Sequence, residues 1–185
     1  KKERTRERSE DNDREKKCED VAFNSYPAAM MPDYKALRYI TSPNHVVSDS
    51  QNHHPGIDNS GPFLAMNPFS SRCCQHNHGF GWPYYAEHLV LATPDNGLAA
   101  VMYSACKAKI KVGSKGTEVT LHEQTNYPFE EAVRFTLSTP SKVRFPMYLR
   151  IPSWCKNASV KINGKQEAVT LVAGEYARIE REWTN

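Results

Sequence analysis

The stretch Val143-Arg144-Phe145-Pro146-Met147-Tyr148-Leu149-Arg150-Ile151 decides how the second half of the chain is read. Val143, Phe145, Met147, Leu149 and Ile151 fall on every second position. A period of two puts these side chains on one face of an extended strand. The same rhythm extends outward in both directions. Upstream, Leu98 to Tyr103 is an apolar run, and Ala108, Ile110 and Val112 alternate with lysines. Val119 and Leu121 alternate, as do Val133, Phe135 and Leu137. Downstream, Val160 and Ile162 run into Asn163-Gly164, a strong hairpin signal. A last strand is expected near Tyr176 to Trp183. Several short strands with regular turns point to a β-sandwich over residues 98–185. A complete sandwich needs more strands, so the chain is expected to be cut at this end.

Before Leu98 the pattern is different. Trp82, Tyr85, Ala86, Leu89 and Val90 have helical spacing, which predicts a helix from Trp82 to Ala92 with Pro83 in its first turn. Thr93-Pro94-Asp95-Asn96-Gly97 is expected to end it. Pro32 to Arg72 is rich in turn formers, a loop of about 40 residues of the kind that often carries function. Short strands are expected near Leu37 to Ile40 and Phe63 to Met66. Residues 18 to 29 read as a helix end closed by Pro27.

The chemistry concentrates in Arg72-Cys73-Cys74-Gln75-His76-Asn77-His78-Gly79, just before the predicted helix. Two thiols and two imidazoles in six residues suit zinc. Zinc holds a thiol as thiolate, the nucleophilic form, and a helix N-terminus also lowers thiol pKa values. Buried thiols beside hydrogen-bonded imidazoles would fit the same residues, as would a vicinal disulfide. The spacing is not that of a zinc finger.

These residues resemble glycoside hydrolase family 127 and its relative family 146. The resemblance rests on Arg72 to Asn77, on Gly81-Trp82-Pro83, and on Ala92-Thr93-Pro94-Asp95-Asn96-Gly97-Leu98-Ala99-Ala100. Glu130 to Phe135, Leu149-Arg150-Ile151-Pro152-Ser153-Trp154-Cys155 and Val160 to Gly164 add to it. Glu19 to Asn24 (EDVAFN) is similar to the family's helix end, often written ERALYN. The resemblance covers about residues 18 to 183. It implies an α+β multidomain fragment: the C-terminal part of an (α/α)6 barrel over residues 18–97, followed by a partial β-sandwich over 98–185. It also implies a retaining β-L-arabinofuranosidase with a zinc-bound cysteine nucleophile, acting on an L-arabinose-containing glycan. Cys73 would be the nucleophile and a zinc ligand, and Cys74 a second ligand. Tyr39 matches, loosely, a substrate-contacting tyrosine. The other two zinc ligands of the family lie in a Glu-x-Cys motif, and a further Glu is its acid/base. Neither has a counterpart in this sequence, and Cys18, preceded by two lysines, is not that ligand. The expectation is half a site, inactive alone. The alternative is a non-catalytic carbohydrate-binding or structural β-sandwich module. Trp154, Tyr148 and Trp183 are its aromatic candidates, though core packing accounts better for Tyr148 and Trp154.

Residues 1–17 carry eight basic and six acidic side chains and no apolar one, and read as a charged, disordered tail or a solvated helix. Without them, 16 basic residues face 15 acidic ones. That balance argues against a nucleic-acid partner. No segment approaches the roughly 20 apolar residues of a membrane span. No signal peptide is visible, and the true N-terminus is expected to lie upstream, so the compartment stays open. Five cysteines without regular spacing do not suggest a disulfide framework.

Overall fold

A computed structural model describes residues 14–38, 64–66 and 72–185. It divides into two compact units, one made of residues 1–19 with 86–185 and the other of residues 20–85. Most of the regular structure is β, with few helices.

The larger unit holds two main sheets. Four strands run in the order β11-β8-β4-β3: Tyr176–Trp183, Val143–Arg150, Leu98–Ala100 and Val90–Ala92. β11 is antiparallel to β8 along its whole length, from Tyr176 opposite Arg150 to Trp183 opposite Val143. β4 lies parallel to β8, with Leu98 opposite Met147. The second sheet is the antiparallel meander β5-β6-β7: Cys106–Val112, Thr117–Thr125 and Val133–Ser138. Both sheets feed one apolar core. Leu98, Phe145, Met147 and Ile179 enter it from the first, and Val112, Val119 and Leu121 from the second. Val143, Phe145, Met147 and Leu149 are buried as the alternation predicts and Arg144 is exposed, but Pro146 and Arg150 on the opposite face are buried as well. Asn163-Gly164 makes the expected tight turn, both residues with positive φ, between β9 (Lys161–Ile162) and β10 (Lys165–Gln166). Residues 14–20 form helix α1.

The smaller unit begins with a π-helical turn, Val21–Ser25, and a short helix α2, Tyr26–Ala28. β1 (Ala36–Arg38) pairs antiparallel with β2 (Leu64–Met66), the two short strands expected there. Arg38 ties β1 back to the preceding turn by donating from Nη1 to the Met30 carbonyl at 2.9 Å.

One expectation is corrected. No helix spans Trp82 to Ala92. Helix α3 runs from Arg72 to Glu87 and carries Pro83 in its interior. Val90, Leu91 and Ala92 leave it to form β3, and residues 93–97 are a hairpin turn into β4. The Thr93 amide donates to Gly97 O at 3.1 Å, and the Gly97 amide donates to Thr93 Oγ1 at 3.0 Å. A helical count and a strand-turn-strand count both fit these residues. Pairing with β4 supplies ladder hydrogen bonds that a longer helix would forfeit. Among the described residues no helix is long and apolar enough to cross a membrane.

Candidate active site

Cys73 and Cys74 occupy the second and third positions of α3, not the loop before a helix that the sequence suggested. Successive residues on an α-helix are about 100° apart. The two residues therefore follow one another on the same turn of α3. Cys74 is half-buried and not in a disulfide. The Cys73 side chain and all of Tyr39 lie outside the described residues. His76 is exposed and His78 half-buried.

α3 is held from outside by Tyr26. The phenol oxygen accepts from the Gly81 amide at 3.0 Å and donates to the carbonyl of His78, with the Asn77 carbonyl at 3.4 Å. The Tyr26 and His78 rings stack, centroids 4.3 Å apart and planes 7° from parallel. His78 Nε2 lies 2.8 Å from the Tyr26 carbonyl. A carbonyl can only accept, so Nε2 carries the proton and Nδ1 is the nitrogen left with a lone pair if the ring is neutral. Trp82 packs edge-on against Tyr26 at 5.1 Å. Gly81 makes this possible, because a methyl group there would collide with the Tyr26 hydroxyl.

A second polar constellation lies inside the larger unit. Glu19, at the end of α1, forms an ion pair with Arg150 of β8, and both are buried. Glu19 also accepts from the Tyr127 hydroxyl at 3.0 Å and from the Tyr103 amide at 3.4 Å. Arg150 Nε donates to Val101 O at 2.5 Å. Burial, the largest influence, opposes the Arg150 charge, but the Glu19 charge and hydrogen bond together with Tyr103 and Tyr127 more than offset it and hold the guanidinium pKa above its ordinary value. Burial, then the nearby Glu19 charge, pushes the Tyr127 phenol up to about 12. Close by, fully buried Glu123 accepts from the Ser104 amide at 3.0 Å, with the Cys106 thiol at 3.9 Å. Burial raises the Glu123 carboxyl to about 8 and the Cys106 thiol to about 11. Cys106 is thus a poor nucleophile at neutral pH.

Sequence reasoning did not single out Tyr26, Glu19 or Glu123 for these roles. No signal in the sequence pointed to Tyr26: of the two glycines in α3, Gly81 meets its hydroxyl whereas Gly79 faces open space. The expectation that Trp154 packs in a core is corrected, since it is 52% exposed. Its ring lies over Tyr127, 6.3 Å between centroids and 15° from parallel. Tyr148 is half-buried, with its hydroxyl donating to Asp95 at 2.6 Å. The half-buried Trp183 indole donates to Phe145 O at 2.9 Å.

Among the described residues no group of three or more His, Cys, Asp or Glu side chains is arranged to hold a metal.

Comparison with known proteins places both halves. Residues 6–87 match the sequence model of the β-L-arabinofuranosidase GH127 catalytic domain, and residues 97–185 match that of the GH127 middle domain. No curated protein sequence matches. Among solved structures, the chain is similar to a GH127 β-L-arabinofuranosidase from Geobacillus stearothermophilus T6, at 27% identity and a TM-score of 0.61. That match covers 85% of this chain and 24% of the other. A structure described as a glycoside hydrolase matches in fold at 24% identity and a TM-score of 0.68, over 90% of this chain and 26% of the other. The chain therefore spans about a quarter of the length of these solved relatives.

Proposed function

Because this chain belongs to glycoside hydrolase family 127, we propose that it supplies the nucleophile and two metal ligands of a retaining β-L-arabinofuranosidase. One observation carries the reading. The thiol pair sits at the head of α3 within the residues that match the catalytic-domain model. On this reading residues 18–97 correspond to the end of an (α/α)6 barrel and residues 98–185 to part of a β-sandwich.

The Cys73 thiolate attacks the anomeric carbon of a β-L-arabinofuranosyl unit while the bond to the leaving oxygen breaks and that oxygen takes a proton. Water then displaces the sulfur, and two inversions give retention, the two-step scheme of retaining glycosidases with sulfur in place of a carboxylate. Cys73 and Cys74 would hold zinc, which when bound keeps sulfur deprotonated at neutral pH. The 185 residues contain no Glu-x-Cys segment, and on this reading they also lack the family's acid/base glutamate. General acid–base help is worth about 10²–10⁴-fold. The chain alone is therefore expected not to hydrolyse an aryl β-L-arabinofuranoside, and to protect its thiols from alkylation only at high zinc. Turnover, or tight 1:1 zinc binding that shields both thiols, would overturn the incomplete-site reading. An activated aryl β-L-arabinofuranoside needs little acid assistance. Mass spectrometry of chain incubated with one should find a glycosyl adduct on the Cys73 peptide, absent in Cys73→Ala. An adduct at another residue would reassign the nucleophile.

A second reading has an observation of its own. Trp154 lies open over Tyr127, and Phe129 is 93% exposed on the neighbouring turn. Exposed rings of this kind stack on sugars, as a carbohydrate-binding module requires. Arabinoside binding kept in Cys73→Ala and lost in Trp154→Ala would favour it.

A further inference from the structure

We infer that Tyr26 is a positioning residue for the Cys73–Cys74 pair, acting through the backbone of α3; this rests on the proposed role of that pair. In an α-helix each amide donates to the carbonyl four residues back. The turn that bears the thiols is thus closed by the amides of Asn77 and His78, which donate to the Cys73 and Cys74 carbonyls. The peptide joining Asn77 to His78 carries two of the relevant groups. Its N–H closes on Cys74, and its C=O faces the Tyr26 hydroxyl at 3.4 Å. Tyr26 also takes the next carbonyl, that of His78, and the Gly81 amide. Its oxygen is inserted into the helical ladder one turn below the thiols, a recognised cause of helix distortion.

The helix needs this outside support. Pro83 has no N–H, so the Gly79 carbonyl loses its usual donor and the ladder is interrupted beside the insertion. Tyr26 grips at two further points. Its ring stacks on His78 and its own carbonyl accepts from His78 Nε2. The imidazole is thereby fixed in orientation and tautomer. Outer groups that orient a metal-binding turn typically change metal affinity 10- to 100-fold when removed, roughly.

The test uses the full 185-residue chain as wild type, Tyr26→Phe and Gly81→Ala. Tyr26→Phe removes the hydroxyl, and Gly81→Ala displaces it without removing it. Two readouts are taken: zinc affinity by competition with a chromophoric chelator, and alkylation rates at each cysteine by peptide mass spectrometry on metal-free chain. In both variants the zinc dissociation constant should rise about 10- to 100-fold. Cys73 and Cys74 should alkylate several-fold faster, while Cys155, in the other compact unit, keeps its rate. Unchanged rates at the pair, or equal acceleration at all three thiols, would overturn the inference, the latter by showing a loss of overall stability. If wild type binds no zinc, the metal part of the proposed function fails. The alkylation contrast still decides the role of Tyr26.

Discussion

Glu19 and Arg150 show how a single buried pair is decided by its alternatives. Both charges are out of water, and each compensates the other. Replacing one partner leaves a buried charge alone, a loss of about 3–5 kcal/mol. Glu19→Gln should therefore lower the urea stability of the strands by about that amount, read by far-UV circular dichroism. Glu19→Leu with Arg150→Met should recover much of the loss, because a matched apolar pair carries no desolvation cost. A single variant as stable as wild type would mean the pair is hydrated in solution. Glu123 gives a pH dependence with a definite sign. Its folded carboxyl titrates at about 8 against an ordinary 4.5. Between those values the folded chain holds a proton that the unfolded chain has lost. The stabilisation from that proton is complete below about 4.5 and disappears as pH rises through about 8. Glu123→Gln should flatten the fall of the thermal midpoint from pH 5 to 8, roughly. An identical slope in the variant would assign the dependence to other groups.

At the level of elements, the turn from β3 to β4 is the informative case. Gly97 sits against the backbone of Pro146 on β8, and a methyl group there would collide with the Pro146 carbonyl. Main chain cannot swing aside as a side chain can. Gly97→Ala should cost about 1–3 kcal/mol, the usual range for overpacking, measured as a lower thermal midpoint. The strands of this half were legible because strands such as β5, β6 and β7 bury one face more than the other, so a period of two is written into residues such as Ile110, Val119 and Phe135. The helix was misplaced because Trp82 and Tyr85 suggested an apolar stripe. In the folded chain Trp82 is 40% exposed. Beside ring contacts from Trp82 and Tyr85, α3 is held by polar groups, the Tyr26 hydroxyl and the His78 imidazole, which no hydrophobic period records.

For the whole molecule, the sequence families and the compact units divide the chain differently. The middle-domain model starts at residue 97, yet the unit that contains it also takes residues 1–19. Glu19 is a reason for this, since it completes a buried ion pair whose other half lies on β8. Glu15 contributes as well, accepting from the Tyr176 hydroxyl at 2.9 Å. Deleting residues 1–19 should thus destabilise the strands by at least the about 3–5 kcal/mol expected for an orphaned Arg150. Urea unfolding of the shortened chain checks this. A midpoint equal to that of wild type would show that the charged segment is dispensable.

The sequence by itself determined the strand-rich second half, the Asn163-Gly164 turn, the thiol pair and the family. Each of these is local: a period, a dipeptide or a short motif carries it. Tertiary structure alone decided that Val90 to Ala92 is a strand, that Cys73 and Cys74 start a helix, and that Glu19 meets Arg150. Those outcomes depend on partners far away in sequence. The pairing of Glu19 with Arg150 depends on both charges sharing one buried space, and only the folded chain creates that space.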